Sequence, residues 1–429
     1  MHFCVSDVKI ISHGYGKKVD IFMEISLNMY HAVALGAVLF YLGGLITARV
    51  SFLNRYCIPA PLVGGLLFSI LNLVLHSTGI ATITFDDTLQ TVFQNLFFTT
   101  VGFTVSIPAL IRGGKSVILI LILATIMIPI QNGLGGGIMV LFDRDPLVGI
   151  GIGSAALIGG PATAAAYGPE LLKAGAPAGA DVAAVAAATF GLVSGSLMGG
   201  PVARRLIVKH NLKSSGIVDP EARSAEILAS DVAGEDETFS TASPRFVKGF
   251  MLLLAALGIG AQVSVWLEEV TPLTFPSYIG AMLVAVVLRN VMGAMKIEYP
   301  DQEIDTMGNM FLSIFLALAL SGLKLWQLVD LALPMVVSLL LQCLVMIIFS
   351  YFIVFNIMGR NYEAAVMSAG FIGFAMGATS NAMANMQVVT KKYGPAPVAY
   401  FAIPMVGGLF IDFINALFIT FNIGLWSHV

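Results

Sequence analysis

Of the 25 acidic residues in the chain, 24 fall in loops, tails or near the ends of apolar runs, and only Asp412, in MVGGLFIDFINALFITF, stands well inside one. A carboxylate at such depth costs at least about 2.5–3.5 kcal/mol on insertion scales, so it needs a partner or a task. Asn415 lies three residues on, on the same helical face. Two readings stay open: Asp412 bonds to a neighbouring helix, or it holds a cation. Uncharged oxygens gather in two other places, at Thr163 behind Gly159-Gly160, and at Thr379, Ser380, Asn381, Asn385 and Gln387. Backbone carbonyls freed from regular helix, beside such side chains, suit a hard cation such as Na⁺. Free N–H groups at helix N-termini suit a carboxylate. Gln131 and Asn132 interrupt another apolar run, IPIQNGLGGG, where they either gate or bond across helices. Paired carboxylates, a Ser/His/Asp set and a Cys/His set are missing at this depth, which argues against an intramembrane hydrolase. No HExxH pattern occurs, and Cys4, Cys57 and Cys343 are scattered. The expectation is therefore a non-enzyme with Na⁺ as its ion, no transition metal and no organic cofactor.

Composition says what must position these groups. The chain has 429 residues, 57% of them hydrophobic, with a mean hydropathy of +0.89. Its charged fraction of 11% is under half the roughly 25% of a soluble domain. With a net charge of −3, these values exclude a disordered chain, a coiled coil, a nucleic-acid binder and almost any water-soluble enzyme. An all-α polytopic membrane protein remains. Apolar runs fall at about 30–48, 58–77, 91–111, 116–141, 147–167, 183–203, 247–267, 276–294, 307–325, 331–357, 364–386 and 398–425. Two of them, 147–167 and 364–386, are rich in Gly, Ala, Ser and Thr and poor in Leu. Such segments make poor lipid-facing helices and read as re-entrant hairpins, since irregular backbone is tolerated at membrane depth only inside protein or beside water.

The positive-inside rule sets the orientation. With both hairpins re-entrant and the N-terminus outside, 16 of the 22 Lys and Arg fall on the cytoplasmic side, leaving Lys9, Lys17, Lys18, Arg144, Lys173 and Lys324 outside. Twelve full crossings would strand Arg49, Arg55, Arg112 and Lys115. The expected topology is ten crossings in the cell (inner) membrane, both termini extracytoplasmic and the 204–248 loop cytoplasmic. Residues 1–22 read as a polar tail, either external or upstream of a native start at Met23. Residues 210–244, with seven acids and two bases, read as a flexible linker.

That linker divides two similar halves, 23–209 and 245–429. Pro61 matches Pro276, Gly102 matches Gly322, Asp145 matches Asn361 and Thr163 matches Thr379, at nearly one offset. Five crossings and one hairpin per half put the second half upside down relative to the first, as in carriers built of inverted repeats, where discontinuous helices meet at a midplane site. Substrate is expected at Gly160, Thr163, Thr379, Ser380 and Asn381. Sodium is expected at Thr379, Asn385, Gln387, Asp412 and Asn415.

Several long motifs resemble the bacterial glutamate:sodium symporter family. They are VSFLNRYCIPAPLVGGLL, PIQNGLG, ATFGLVSGSLMGGPVARRL, LSIFLALALSGLKLWQL, ANMQ and PMVGGLFIDFINAL, and the likeness runs over nearly all of the chain from Met23. The resemblance implies Na⁺-coupled uptake of L-glutamate, ten crossings with two re-entrant loops, external termini and a homodimer. Gln131, Asn132, Thr379, Asn385, Gln387, Asp412 and Asn415 match the family pattern. The hairpins depart from it: Gly159-Gly160-Pro161-Ala162-Thr163-Ala164 lacks the family's His and two Gly, and Phe371 and Ala375 replace a His and a Gly in the second hairpin. A carrier for another organic anion, or a channel or sensor, stands as the alternative reading.

Overall fold

In lipid every backbone N–H and C=O must be satisfied within the protein, so long uncharged apolar runs close into helices. The computed structural model describes residues 8–13, 20–56, 58–214, 244–271 and 275–427. The first half holds α1 (Met29–Arg49), α2 (Ala60–Ser77), α3 (Thr88–Thr104), α4 (Gly114–Leu141), α5 (Pro146–Ile150), α6 (Gly160–Lys173) and α7 (Ala180–Lys209). The second holds α8 (Pro244–Val270), α9 (Ser277–Ala294), α10 (Asp301–Ser321), α11 (Ala332–Ile348), α12 (Tyr362–Ala375), α13 (Thr379–Tyr393), α14 (Pro397–Met405) and α15 (Ile411–Trp426).

Among the described residues nine helical stretches are long and apolar enough to cross a membrane. The tenth expected crossing, α3, has 17 residues, about 25 Å of helix. The run expected at 91–111 is split because Asn290 takes over the helix bonds at its end, donating to the Val105 carbonyl and accepting from Ile107 N. The two halves present these helices in the same order. Their second helices, α2 and α9, both have 18 residues, and their last stretches, Ala180–Lys209 and Pro397–Trp426, both have 30.

Glycines set how the helices lock. A Cβ on Gly64 of α2 would sit 1.9 Å from the Leu39 carbonyl oxygen of α1, and one on Gly43 would sit 2.1 Å from that of Ala60. The same contact recurs 216 and 217 residues on, where a Cβ on Gly280 of α9 would sit 2.1 Å from the Gly260 oxygen of α8. Close approach through small residues is how helices associate where lipid removes the hydrophobic drive between them. The halves then interlock reciprocally. Helix α3 packs on α9 through Gly102, whose Cβ would lie 2.3 Å from the Met282 oxygen, and α2 packs on α10, with Ser69 Oγ donating to the Leu320 carbonyl. These six helices form one unit. Helices α4, α7 and α11, the stretch α14–α15 and both hairpins form a second, which holds most of the buried core. We expect Gly64→Val to cost more than the roughly 1–3 kcal/mol of ordinary overpacking, because backbone rather than a movable side chain is in the way. The variant should lose its monodisperse peak in size-exclusion chromatography; a peak of wild-type height and thermal midpoint would refute the close contact.

Beside the helices, strands β1 (Val8–His13), β2 (Asp20–Leu27) and β3 (Ala81–Phe85) form a small three-stranded sheet, β1 and β2 antiparallel, β2 and β3 parallel. The tail boundary at residue 22 accordingly falls inside β2. Alternation in the sequence is too short to announce such a sheet, because its pairing partner β3 is far along the chain. The linker expected at 210–244 lies mostly outside the described residues, as do Cys4 and Cys57; α7 ends at Lys209 and α8 begins at Pro244.

Candidate substrate and ion site

Each of the two glycine-rich segments is a broken helical pair. In the first, Asp145 caps α5 by accepting from Leu147 N at 2.8 Å. The helix then loosens into a π turn, Gly151–Ala155, and breaks at Gly153 (φ −90°, ψ −126°). Three amides from other helices take up the freed backbone groups. Asn132 Oδ1 accepts from Ser154 N at 2.8 Å, Asn415 Nδ2 donates to Ser154 O at 3.0 Å, and Gln342 Nε2 donates to Ile152 O at 3.2 Å. The chain restarts as α6 at Gly160, with φ +64°. Pro161 falls at the start of this helix, where a missing N–H costs nothing. In the second pair Asn361 caps α12 through Ala364 N at 2.8 Å, matching Asp145 as its position predicts. Helix α12 stops at Ala375, whose carbonyl accepts from Gln131 Nε2 at 2.8 Å, and α13 begins four residues later at Thr379. Both pairs run further than the sequence signals, to Lys173 and Tyr393.

The two breaks meet. A Cβ on Gly160 would stand 2.8 Å from the Gly377 carbonyl oxygen, so the N-termini of α6 and α13 lie together. Neither terminus has a side-chain cap. Thr163 is buried and folds over Gly159, while Thr379 Oγ1 donates to the Gly407 carbonyl at 2.7 Å. Gly407 belongs to a π turn, Val406–Phe410, that interrupts the last crossing just before Asp412. Helix α3 reaches the same turn, Thr104 Oγ1 donating to Leu409 O at 3.1 Å.

Asp412 is half-buried and makes no hydrogen bond or ion pair among the described residues. The partner foreseen for it, Asn415, spends its amide nitrogen on Ser154 instead. Asn381 and Asn385 are buried, but their amide nitrogens pin α13 to α7, donating to Leu192 O at 2.8 Å and Gly195 O at 2.9 Å. Ser380 is exposed at the tip, and Gln387 is exposed about 12 Å further along α13, away from the others. Phe371 is buried against Phe349 and Phe374, so an aromatic cluster fills that space.

Sequence reasoning passed over Ser154 and Gln342. Gln342 was visible as a lone amide inside SLLLQCLVMII, the same signal that marks Gln131. Ser154 carried no signal beyond small size. Buried side-chain atoms without a partner concentrate here: of eleven among the described residues, six are Gln131 Oε1, Asn132 Nδ2, Ser154 Oγ, Gln342 Oε1, Asn381 Oδ1 and Asn415 Oδ1. Each orphan costs roughly 1–3 kcal/mol unless something answers it. Five of the six are oxygens, the ligands a hard monovalent cation takes. We expect Asn415→Leu, which also orphans the Ser154 carbonyl, to weaken apparent Na⁺ affinity by roughly tenfold or more. Na⁺ titration of uptake checks this; an unchanged half-saturation point would place Asn415 outside the ion site.

Two broken helices meeting inside an apolar bundle, with unanswered oxygens beside them, define a polytopic membrane transporter. The family model for the sodium/glutamate symporter matches residues 25–395, and the chain belongs to that family. It is 38% identical over 381 residues to the sodium/glutamate symporter of Escherichia coli, covering 88% of this chain and 93% of that protein. To the sodium/glutamate symporter of Haemophilus influenzae it is 35% identical over 397 residues, covering 92% and 96%. Among solved structures, the sodium proton antiporter MjNhaP1 of Methanocaldococcus jannaschii overlaps 93% of this chain and 98% of its own, at 13% identity and a TM-score of 0.41. That overlap is too loose to transfer any feature.

Proposed function

We propose that the chain is a Na⁺-coupled symporter of L-glutamate working by alternating access. The observation that carries this is the meeting of two uncapped helix N-termini at Gly160 and Gly377, ringed by buried oxygens without partners. A dicarboxylate substrate has two anionic ends and the meeting supplies two positive helix ends, each equivalent to roughly half a charge. Thr163, Ser380 and Asn381 flank them. Na⁺ is taken by the oxygens of Ser154, Asn415 and Gln342, with Asp412 as countercharge on the same helix face as Asn415 and Thr379 beside the π turn. Both ligands tie together segments that are otherwise held by few bonds, so each favours the presence of the other.

The matched element order, the repeated Gly43/Gly64 and Gly260/Gly280 contacts and the paired caps Asp145 and Asn361 support two inverted repeats with re-entrant hairpins. The six-helix unit α1–α3 with α8–α10 then serves as scaffold, and the hairpin unit moves. Charge placement supports a cytoplasmic 204–248 loop and external termini. The protein acts as a homodimer, for which the open apolar faces of α1 and α8 offer surface. Purified protein in liposomes should accumulate labelled glutamate only with an inward Na⁺ gradient, and should exchange internal for external glutamate. Uptake of another carboxylate in its place would overturn the substrate. Flux without accelerated exchange would replace the carrier with a channel.

A further inference from the structure

The last two turns of α7 and α13 leave between them a groove of about 860 Å³. Arg204, Arg205 and Lys209 line one wall and Lys392 the other. Basic residues in a final helical turn complement the helix dipole, and this accounts for Lys209 and Lys392. It does not account for Arg204 and Arg205, which stand more than one turn further in. None of the four pairs with a carboxylate among the described residues, and no acidic side chain is among those lining the groove. Lys209 and Lys392 instead lie over the rings of Tyr351 and Tyr393, at 5.5 and 5.6 Å. Four like charges held together repel one another unless an anion sits among them.

The rest of the wall is apolar and open. Val208 is 61% exposed and Val388 66% exposed, directly beside the cations. A small soluble anion needs no such stripe. The groove is also shut off from the hairpin tips, since Gly199 packs against Asn385, leaving no space for even a Cβ between them. Cations at the ends of one spanning helix and one hairpin arm, beside exposed valines, match an amphipathic anion: a phosphate head that guanidinium groups hold in a fork, and chains that lie along an apolar face.

We propose that this groove is a binding site for an anionic phospholipid, distinct from the glutamate and Na⁺ site. Because α13 is one arm of the second hairpin, the lipid braces that arm against α7.

The test is native mass spectrometry of the purified full-length protein in mixed micelles of phosphatidylglycerol and phosphatidylcholine. Wild type should retain phosphatidylglycerol selectively, and Arg204→Gln/Arg205→Gln should lower that preference by about tenfold. Arg204→Lys/Arg205→Lys, which keeps the charge, should hold most of it. Arg49→Gln/Arg55→Gln, which removes two cations outside the groove, should leave it unchanged. An unchanged preference in the Gln pair, or an equal loss in the Arg49/Arg55 control, would overturn the site. Displacement of the lipid by inorganic phosphate would mean that the groove takes free phosphate, and would overturn the lipid assignment. No step uses Na⁺ or glutamate, so the outcome is independent of the transport reading.

Discussion

Asp412→Asn should abolish the Na⁺ activation of glutamate uptake while leaving the protein in the membrane. The side chain is half-buried at the head of α15, just past the π turn, and among the described residues it meets no cationic or hydrogen-bonding partner. A carboxylate at this depth needs a countercharge. Removing one member of a buried pair costs about 3–5 kcal/mol, so apparent Na⁺ affinity should fall by roughly a hundredfold or more. Asparagine keeps size and polarity, so folding is spared and the change isolates charge. The measurement is initial uptake rate against external Na⁺ in proteoliposomes, normalised to the amount of inserted protein. Normal Na⁺ activation in the variant would make Asp412 a structural carboxylate and move the ion site to the neutral oxygens alone.

Gly160→Val should stop transport by a different route. At φ +64° an L residue pays about 1–2 kcal/mol in backbone strain, and a β-branched one more. Here the added Cβ also meets the Gly377 carbonyl at 2.8 Å, so the two hairpin tips must part. Glutamate uptake should drop by roughly tenfold or more, the effect of displacing a positioned group by a fraction of an ångström or more. Gly79→Val is the control: its φ is +70°, but nothing lies within 4 Å of the new Cβ, so it carries the strain without the obstruction. Equal losses in both variants would mean that strain alone matters and that the tips need not touch.

The glycines that carry this contact were legible only in part. GlyGlyPro and MetGlyAlaThr announce loose backbone, because runs of small residues make poor lipid-facing helix, and the offset between Thr163 and Thr379 announces a relation between them. That the Gly160 and Gly377 peptides touch is not written in either segment. It depends on α4 holding both hairpins, through Asn132 to Ser154 and Gln131 to Ala375, and on α7 holding the second, through Asn381 to Leu192. The same limit explains Asn385 and Gln387. They stand two residues apart in ANMQ, yet α13 turns Asn385 inward to bond α7 and Gln387 outward.

The membrane class of the molecule, most of its long apolar helices and the two glycine-rich stretches where helix loosens were readable from the residues alone. These follow from free-energy terms that act locally: an unpaired backbone group is intolerable in lipid, and charge segregates to the ends of spans. Only the tertiary structure decided which polar atoms are spent and which are left open. It gave Asn415 to Ser154, left Asp412 without a partner among the described residues, brought in Ser154 and Gln342, and set a three-stranded sheet beside the helices. A side chain's hydrogen-bond partner sits on another element at a distance fixed by packing. Spacing along one helix carries no record of what faces it.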